Sequence, residues 1–232
     1  MADPNIELLI QIAEALGDLR DNLVFVGGCA TALLITDPAA AAVRVTEDVD
    51  AIVAIASKHE YHQLGKALHA RGFSQQLERN DPPYRWTFAG MQLDVMPTDE
   101  AVLGFSNPWY ESAMQTAVTV TLRKGLSIRL VEATCFVATK LVAFLDRGKC
   151  DYLASHDLED VLSVVDGRPA LVNEFERAPM EIRNYVAEVF ARLLADENFI
   201  NALPGIVIEG SPADRSPLVI QRLRTIAQSL PS

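Results

Sequence analysis

The chain has 232 residues, half of them hydrophobic, with 20 basic and 31 acidic side chains and a formal charge of −11. That length can bury a sizeable core in one large domain or two small ones, and the composition excludes a disordered, collagen-like or coiled-coil chain. So acidic a total argues against non-specific coating of nucleic acid, which depends on Lys and Arg neutralising phosphates, and leaves a local basic groove open. Cys29, Cys135 and Cys150 are odd in number and show no CxxC spacing. Neither a disulfide framework nor a zinc site is expected from them, and a reducing compartment, the cytoplasm, is. No basic stretch leads into an apolar core at the N-terminus, and no apolar run reaches the ~20 residues of a membrane span. Neither secretion nor membrane association is expected.

Asp3-Pro4 reads as an N-cap followed by proline at the first helical position, and Ile6, Leu9, Ile10, Ala13, Leu16 and Leu19 recur at helical spacing. Residues 23–26 form a short apolar run, a buried strand that stops at Gly27-Gly28. A helix over 29–35 and a strand over 43–56 follow. Ser57 with Glu60 three residues on is a capping box, and Gly72 closes the helix that it opens. Residues 84–88 and 91–96 flank Ala89-Gly90, a hairpin pattern; 117–122 and 126–130 flank a second turn at 123–125. From Glu132 the period becomes helical, with Phe136, Lys140, Phe144 and Arg147 along one side. Leu158, Val161, Leu162 and Val165 continue it to Gly167, and further helices are expected over 181–195 and 218–230. The pattern predicts an α+β fold: a mixed or antiparallel sheet with helices in residues 1–130, then a helical domain in 131–232.

The chemistry concentrates in a few positions. Gly27-Gly28 closes one strand and opens a helix, which lets backbone approach a ligand and favours phosphate at the helix start. Asp48 and Asp50 alternate on a strand and so share a face, while Val49 and Ala51 point into the sheet. Two adjacent carboxylates repel unless a cation joins them, and hard oxygen donors suit Mg²⁺ or Mn²⁺ carrying substrate phosphates. Asp94, between Leu93 and Val95, repeats the scheme on a neighbouring strand and completes a candidate two-metal set. Other features read as ordinary structure. His59, His62 and His69 mark a solvated helix face, Cys29 a small buried residue, Tyr84 and Trp86 core or cleft wall, and Trp109-Tyr110 interior packing ahead of an acceptor-site lining.

Gly27-Gly28, Thr46-Glu47-Asp48-Val49-Asp50 and Leu93-Asp94-Val95-Met96-Pro97 together resemble the signature of the nucleotidyltransferase superfamily. More narrowly, they are similar to the AbiEii-type enzymes, toxins of type IV toxin–antitoxin systems. The segment from Ala138 to Phe144 with Arg147 and His156-Asp157 resembles the helical region behind that family's sheet. The resemblance implies a mixed sheet flanked by helices and a helical C-terminal domain, with Asp48, Asp50 and Asp94 as catalytic metal ligands. It further implies Gly27, Gly28, Thr46, Lys140 and Asp157 as nucleotide-binding residues. The implied partners are a nucleoside triphosphate, a tRNA or protein acceptor and a cognate antitoxin. Cys29 stands where many members carry serine, and Ser155-His156-Asp157 where many carry an Arg-Asp pair. A small-molecule nucleotidyltransferase of the antibiotic-resistance type and a non-catalytic nucleotide-binding scaffold are the alternatives.

Overall fold

The computed structural model describes residues 3–75, 82–147, 151–207 and 214–228. The chain divides into two compact units, one of Met1–Ala32 with Val45–Glu132, the other of Leu33–Arg44 with Ala133–Ser232. The first holds a six-stranded mixed sheet of order β3-β4-β2-β1-β6-β5. Its strands are β1 (Leu23–Val26), β2 (Asp48–Val53), β3 (Arg85–Phe88), β4 (Met91–Pro97), β5 (Val118–Arg123) and β6 (Leu126–Leu130). β1 runs antiparallel to β2 and parallel to β6, while β2 and β4 are parallel. Both outer pairs, β3/β4 and β5/β6, are antiparallel hairpins.

Helix α1 (Pro4–Leu16) starts where expected, with the Asp3 carboxylate accepting from the backbone N–H groups of Asn5 and Ile6. Its stripe of Leu9, Ile12, Ala13 and Leu16 is wholly buried, and the helix packs on β2, β4 and β6. A 3₁₀ turn over Gly17–Asn22 replaces the helical continuation expected at Leu19. Gly17 leaves the helix at φ 59°, a conformation that a side chain resists. β1 is buried along its whole length, as a central strand covered on both faces should be. Helix α2 (Gly27–Leu34) follows it directly. α3 (Lys58–His69) opens with the Ser57 cap, and α4 (Glu100–Leu103) and α5 (Tyr110–Thr116) complete the first unit.

The strand expected over 43–56 is only six residues long. Its ladder ends where its partners do: β1 offers four residues, and the Thr46 amide is diverted to the Asn5 side chain at 3.0 Å. The turn between β3 and β4 has two residues, Ala89 at φ 49° and Gly90 at φ 84°. Both are left-handed, as a tight turn between twisted strands demands.

The second unit is built from α6 (Ala133–Arg147), α7 (His156–Gly167), α8 (Leu171–Arg177), α9 (Met180–Ala195), α10 (Glu197–Val207) and α11 (Ser216–Ala227). α6 packs on α7, α8 and α9, and α11 on α7, α8 and α9. The segment Leu33–Arg44 is tied into this unit: Thr36 and Asp37 donate from their amides to the Gly167 carbonyl, and Arg168 donates to the Leu34 carbonyl. Gly167 is required there, since a Cβ would stand 2.7 Å from the Ile35 side chain. Sequence periodicity missed α8 and α10, the latter because Pro204 interrupts a helical pattern. Cys29 and Cys135 are buried thiols, while Cys150 and the end of the helix expected over 218–230 lie outside the described residues. Among the described residues, no helix is long and apolar enough to cross a membrane.

Candidate active site

Strand alternation puts Asp48 and Asp50 on one face of β2, both half-buried, and seals Val49 and Ala51 in the core. The parallel register of β2 and β4 sets Asp94 directly opposite Asp50. Asp94 lies between the wholly buried Leu93 and Val95 and is itself only 4% exposed. Each of the three carboxylates offers an oxygen within 4.8 Å of the others. Ionised groups at that spacing repel by roughly 3 kcal/mol per pair at an effective dielectric near 20, so something must hold them.

Part of the answer is a residue that the sequence reading missed. Arg85 on β3 stands opposite Asp94 in the hairpin register. Its Nε and Nη2 donate to the two oxygens of Asp94 at 2.9 and 2.8 Å, and Nη2 lies 3.8 Å from Asp48 Oδ2. Hydrogen bonding to Asp94, helped by the charges of Asp94 and Asp48, holds the guanidinium pKa above its ordinary value against the opposing effect of burial. A signal existed: Arg85 and Asp94 are equidistant from Ala89-Gly90, so a two-residue turn pairs them.

The remaining contacts fix the aspartates from behind. Gly27 has φ 73°, and a Cβ there would stand 2.5 Å from Asp50 Cγ. The first glycine is therefore demanded by the Asp50 carboxylate, a reason beyond backbone access to a ligand. Gly28 is buried in the first turn of α2. Cys29 is also buried, and its thiol donates to the Asp48 carbonyl at 3.1 Å. Thr46 donates its hydroxyl to Asp48 Oδ1 at 2.8 Å, and its own amide donates to the buried Asn5. Thr46 thus orients Asp48.

Lys140 and Asp157 belong to the second unit, which brings them together. Lys140 Nζ lies 3.1 Å from Asp157 Oδ1 and 2.7 Å from Asp160 Oδ2. Arg147 reaches Asp157 at 3.0 Å, and Arg44 reaches Asp160 at 3.3 Å. Asp160 lies in the first turns of α7, where the helix dipole alone would favour a carboxylate, but it is 1% exposed and held between Lys140 and Arg44.

The first unit also has an open cleft of about 690 Å³ beyond β2 and β4, lined by Glu60, Asp99, Glu100 and Glu111 among others. None of the expected site residues lines it. Two of its carboxylates are caps, Glu60 accepting from the Ala56 amide and Asp99 from the Ala101 amide, so local structure accounts for their presence.

Three strand-borne carboxylates form an all-oxygen donor set, which fits a hard divalent cation such as Mg²⁺ or Mn²⁺. No protein-family model matches the chain, and no curated protein matches it at a significant level. Solved structures do. An antigenic nucleotidyltransferase-like protein from Paracoccidioides brasiliensis is 20% identical, with 90% of this chain and 94% of that one covered and a TM-score of 0.51. Weaker likenesses are JHP933 from Helicobacter pylori (14% identity, 96% and 88% covered, TM-score 0.47) and the antibiotic-resistance factor ANT(2'')-Ia (16%, 71% and 84%, 0.46). The first of these identifies the fold as nucleotidyltransferase-like; the other two add nothing to that assignment.

Proposed function

We propose that this chain is a metal-dependent nucleotidyltransferase that moves a nucleoside monophosphate from a triphosphate to an acceptor hydroxyl. The observation that carries the reading is the convergence of Asp48, Asp50 and Asp94 on adjacent strands of a nucleotidyltransferase-like sheet. Asp48 and Asp50 would hold Mg²⁺ or Mn²⁺, with Thr46 keeping Asp48 in its rotamer and Gly27 leaving room for Asp50. The ion would supply Lewis-acid charge to the triphosphate. Backbone amides at the start of α2, from Gly27 and Gly28, suit phosphate oxygens, since the first N–H groups of a helix have no intrahelical acceptor. The acceptor oxygen attacks the α-phosphorus, the bond to pyrophosphate breaks, and Asp94 takes up the hydroxyl proton. Sequence resemblance supports Lys140 and Asp157 as further nucleotide contacts.

The same resemblance supports a tRNA end or a protein side chain as acceptor, and a toxin role countered by a cognate antitoxin. The test incubates the protein with each labelled triphosphate, Mg²⁺ and, in separate arms, total cellular RNA, cell protein and cationic small molecules. Label should move to RNA or protein with release of pyrophosphate, and both should vanish with chelator or in Asp48→Ala. Label on the small molecules alone favours an antibiotic-type enzyme, and turnover that persists in Asp48→Ala removes the mechanism.

A further inference from the structure

The arrangement of Arg85 deepens the catalytic reading and rests on it. We propose that Arg85 stands in for a second metal ion. The cluster then takes one divalent cation, on Asp48 and Asp50, while the guanidinium stays on Asp94.

Geometry sets Asp94 apart from Asp48. Both oxygens of Asp94 accept from Arg85, at 2.9 and 2.8 Å, in the two-pronged pairing that is the strongest carboxylate–guanidinium geometry. Asp94 is also the buried one of the three, so breaking that pair would strand a carboxylate away from water. Asp48 differs. Its Oδ1 accepts from the neutral Thr46 hydroxyl, and its Oδ2 is 3.8 Å from the guanidinium, beyond hydrogen-bonding distance. A cation on Asp48 and Asp50 displaces no charged partner of Asp94. A cation bridging to Asp94 must either evict Arg85 or share its oxygens with a like charge.

Arg85 is also a permanent occupant. A guanidinium does not lose its proton in a protein, and its planar fork matches a carboxylate as an ammonium cannot. The hairpin holds it in place: the two-residue Ala89-Gly90 turn leaves one register, in which Arg85 faces Asp94 across the outermost strand pair. The positive charge that a two-metal enzyme places on its third carboxylate is here built into the chain. Arg85 is thereby a positioning residue for Asp94, whose two oxygens each keep a second lone pair for the acceptor's proton.

Counting ions tests this directly. The full chain is titrated with Mn²⁺ in the presence of a non-hydrolysable nucleoside triphosphate, the bound ion being followed by calorimetry and by electron paramagnetic resonance. Nucleotide-borne Mn²⁺ is subtracted with Asp48→Asn. The expected stoichiometry above that background is one ion per wild-type chain and two per Arg85→Met chain. In the two-ion variant, the spectrum should show coupling between neighbouring Mn²⁺ ions, which a merely structural arginine would not produce. Two ions in the wild type overturn the proposal, as does a single ion in Arg85→Met with a native circular dichroism spectrum. If Arg85→Met does not fold, the wild-type count decides alone: one ion supports the proposal, two overturn it. Wild-type protein that binds no ion above background overturns this proposal together with the catalytic reading. Two ions with intact metal-dependent turnover overturn this proposal alone.

Discussion

The two units each gather buried or half-buried carboxylates, but they treat them differently. In the helical unit, Asp157 meets Lys140 and Arg147, and Asp160 meets Lys140 and Arg44, so each acid has two cations within 3.3 Å. In the sheet unit, Asp48 and Asp94 share one guanidinium, and only Asp94 is within hydrogen-bonding distance of it. The first pattern is what a structural clamp needs: every buried charge is answered by the fold itself. The second leaves Asp48 able to accept another cation, as a catalytic metal site must.

The sharpest way to break this contrast is at β2. Asp48→Ala or Asp50→Ala should lower turnover by about 10³-fold, the equivalent of several kcal/mol of lost charge stabilisation. Pyrophosphate release measures the effect, and Tm should change little because repulsion is relieved. The opposite balance is expected of Lys140→Met. It leaves Asp160 with Arg44 alone, and destabilisation of about 3 kcal/mol should appear in thermal unfolding. A rise in the nucleotide KM beside that fall in Tm marks the nucleotide contact proposed for Lys140, and a rise without it makes Lys140 a binding residue first. Gly27→Ala should lower both readouts: a non-glycine residue at φ 73° costs about 1–3 kcal/mol, and its Cβ displaces Asp50. Asn5→Ala, which strands the buried Thr46 amide, should cost about 1–2 kcal/mol and loosen Asp48.

The smallest effect concerns pH. Burial raises the pKa of Tyr61, whose hydroxyl donates to the Val95 carbonyl at 2.9 Å on β4, and pushes Tyr185 up to about 12. A folded pKa above the unfolded value near 10 means that stability is fully present below about pH 10 and drains away as pH rises through the folded pKa values. Tm measured from pH 8 to 12 should fall above pH 10, and less steeply in Tyr61→Phe.

Much of the sheet was legible because its signals are local. Strand alternation told which face carries Asp48 and Asp50, and Ala89-Gly90 told where β3 turns into β4. What stayed hidden depends on partners distant in sequence. The length of β2 is set by β1 and by Asn5, forty-one residues before Thr46. The burial of Asp160 follows from α6 packing on α7, which a helix-dipole argument on α7 alone does not see. Arg85 was overlooked for a different reason: pairing it with Asp94 needs the turn type as well as the turn's position.

The stretch Leu33–Arg44 carries a practical consequence for dissecting the chain. It is threaded into the helical unit through Gly167 and Arg168, although sheet-unit sequence flanks it on either side. A single scission after Glu132 would free neither half intact. The sheet fragment would carry an orphaned strap of twelve residues, and the helical fragment would lose the piece that Gly167 was kept bare to receive. Separate expression of either part would call for a graft or a circular permutation.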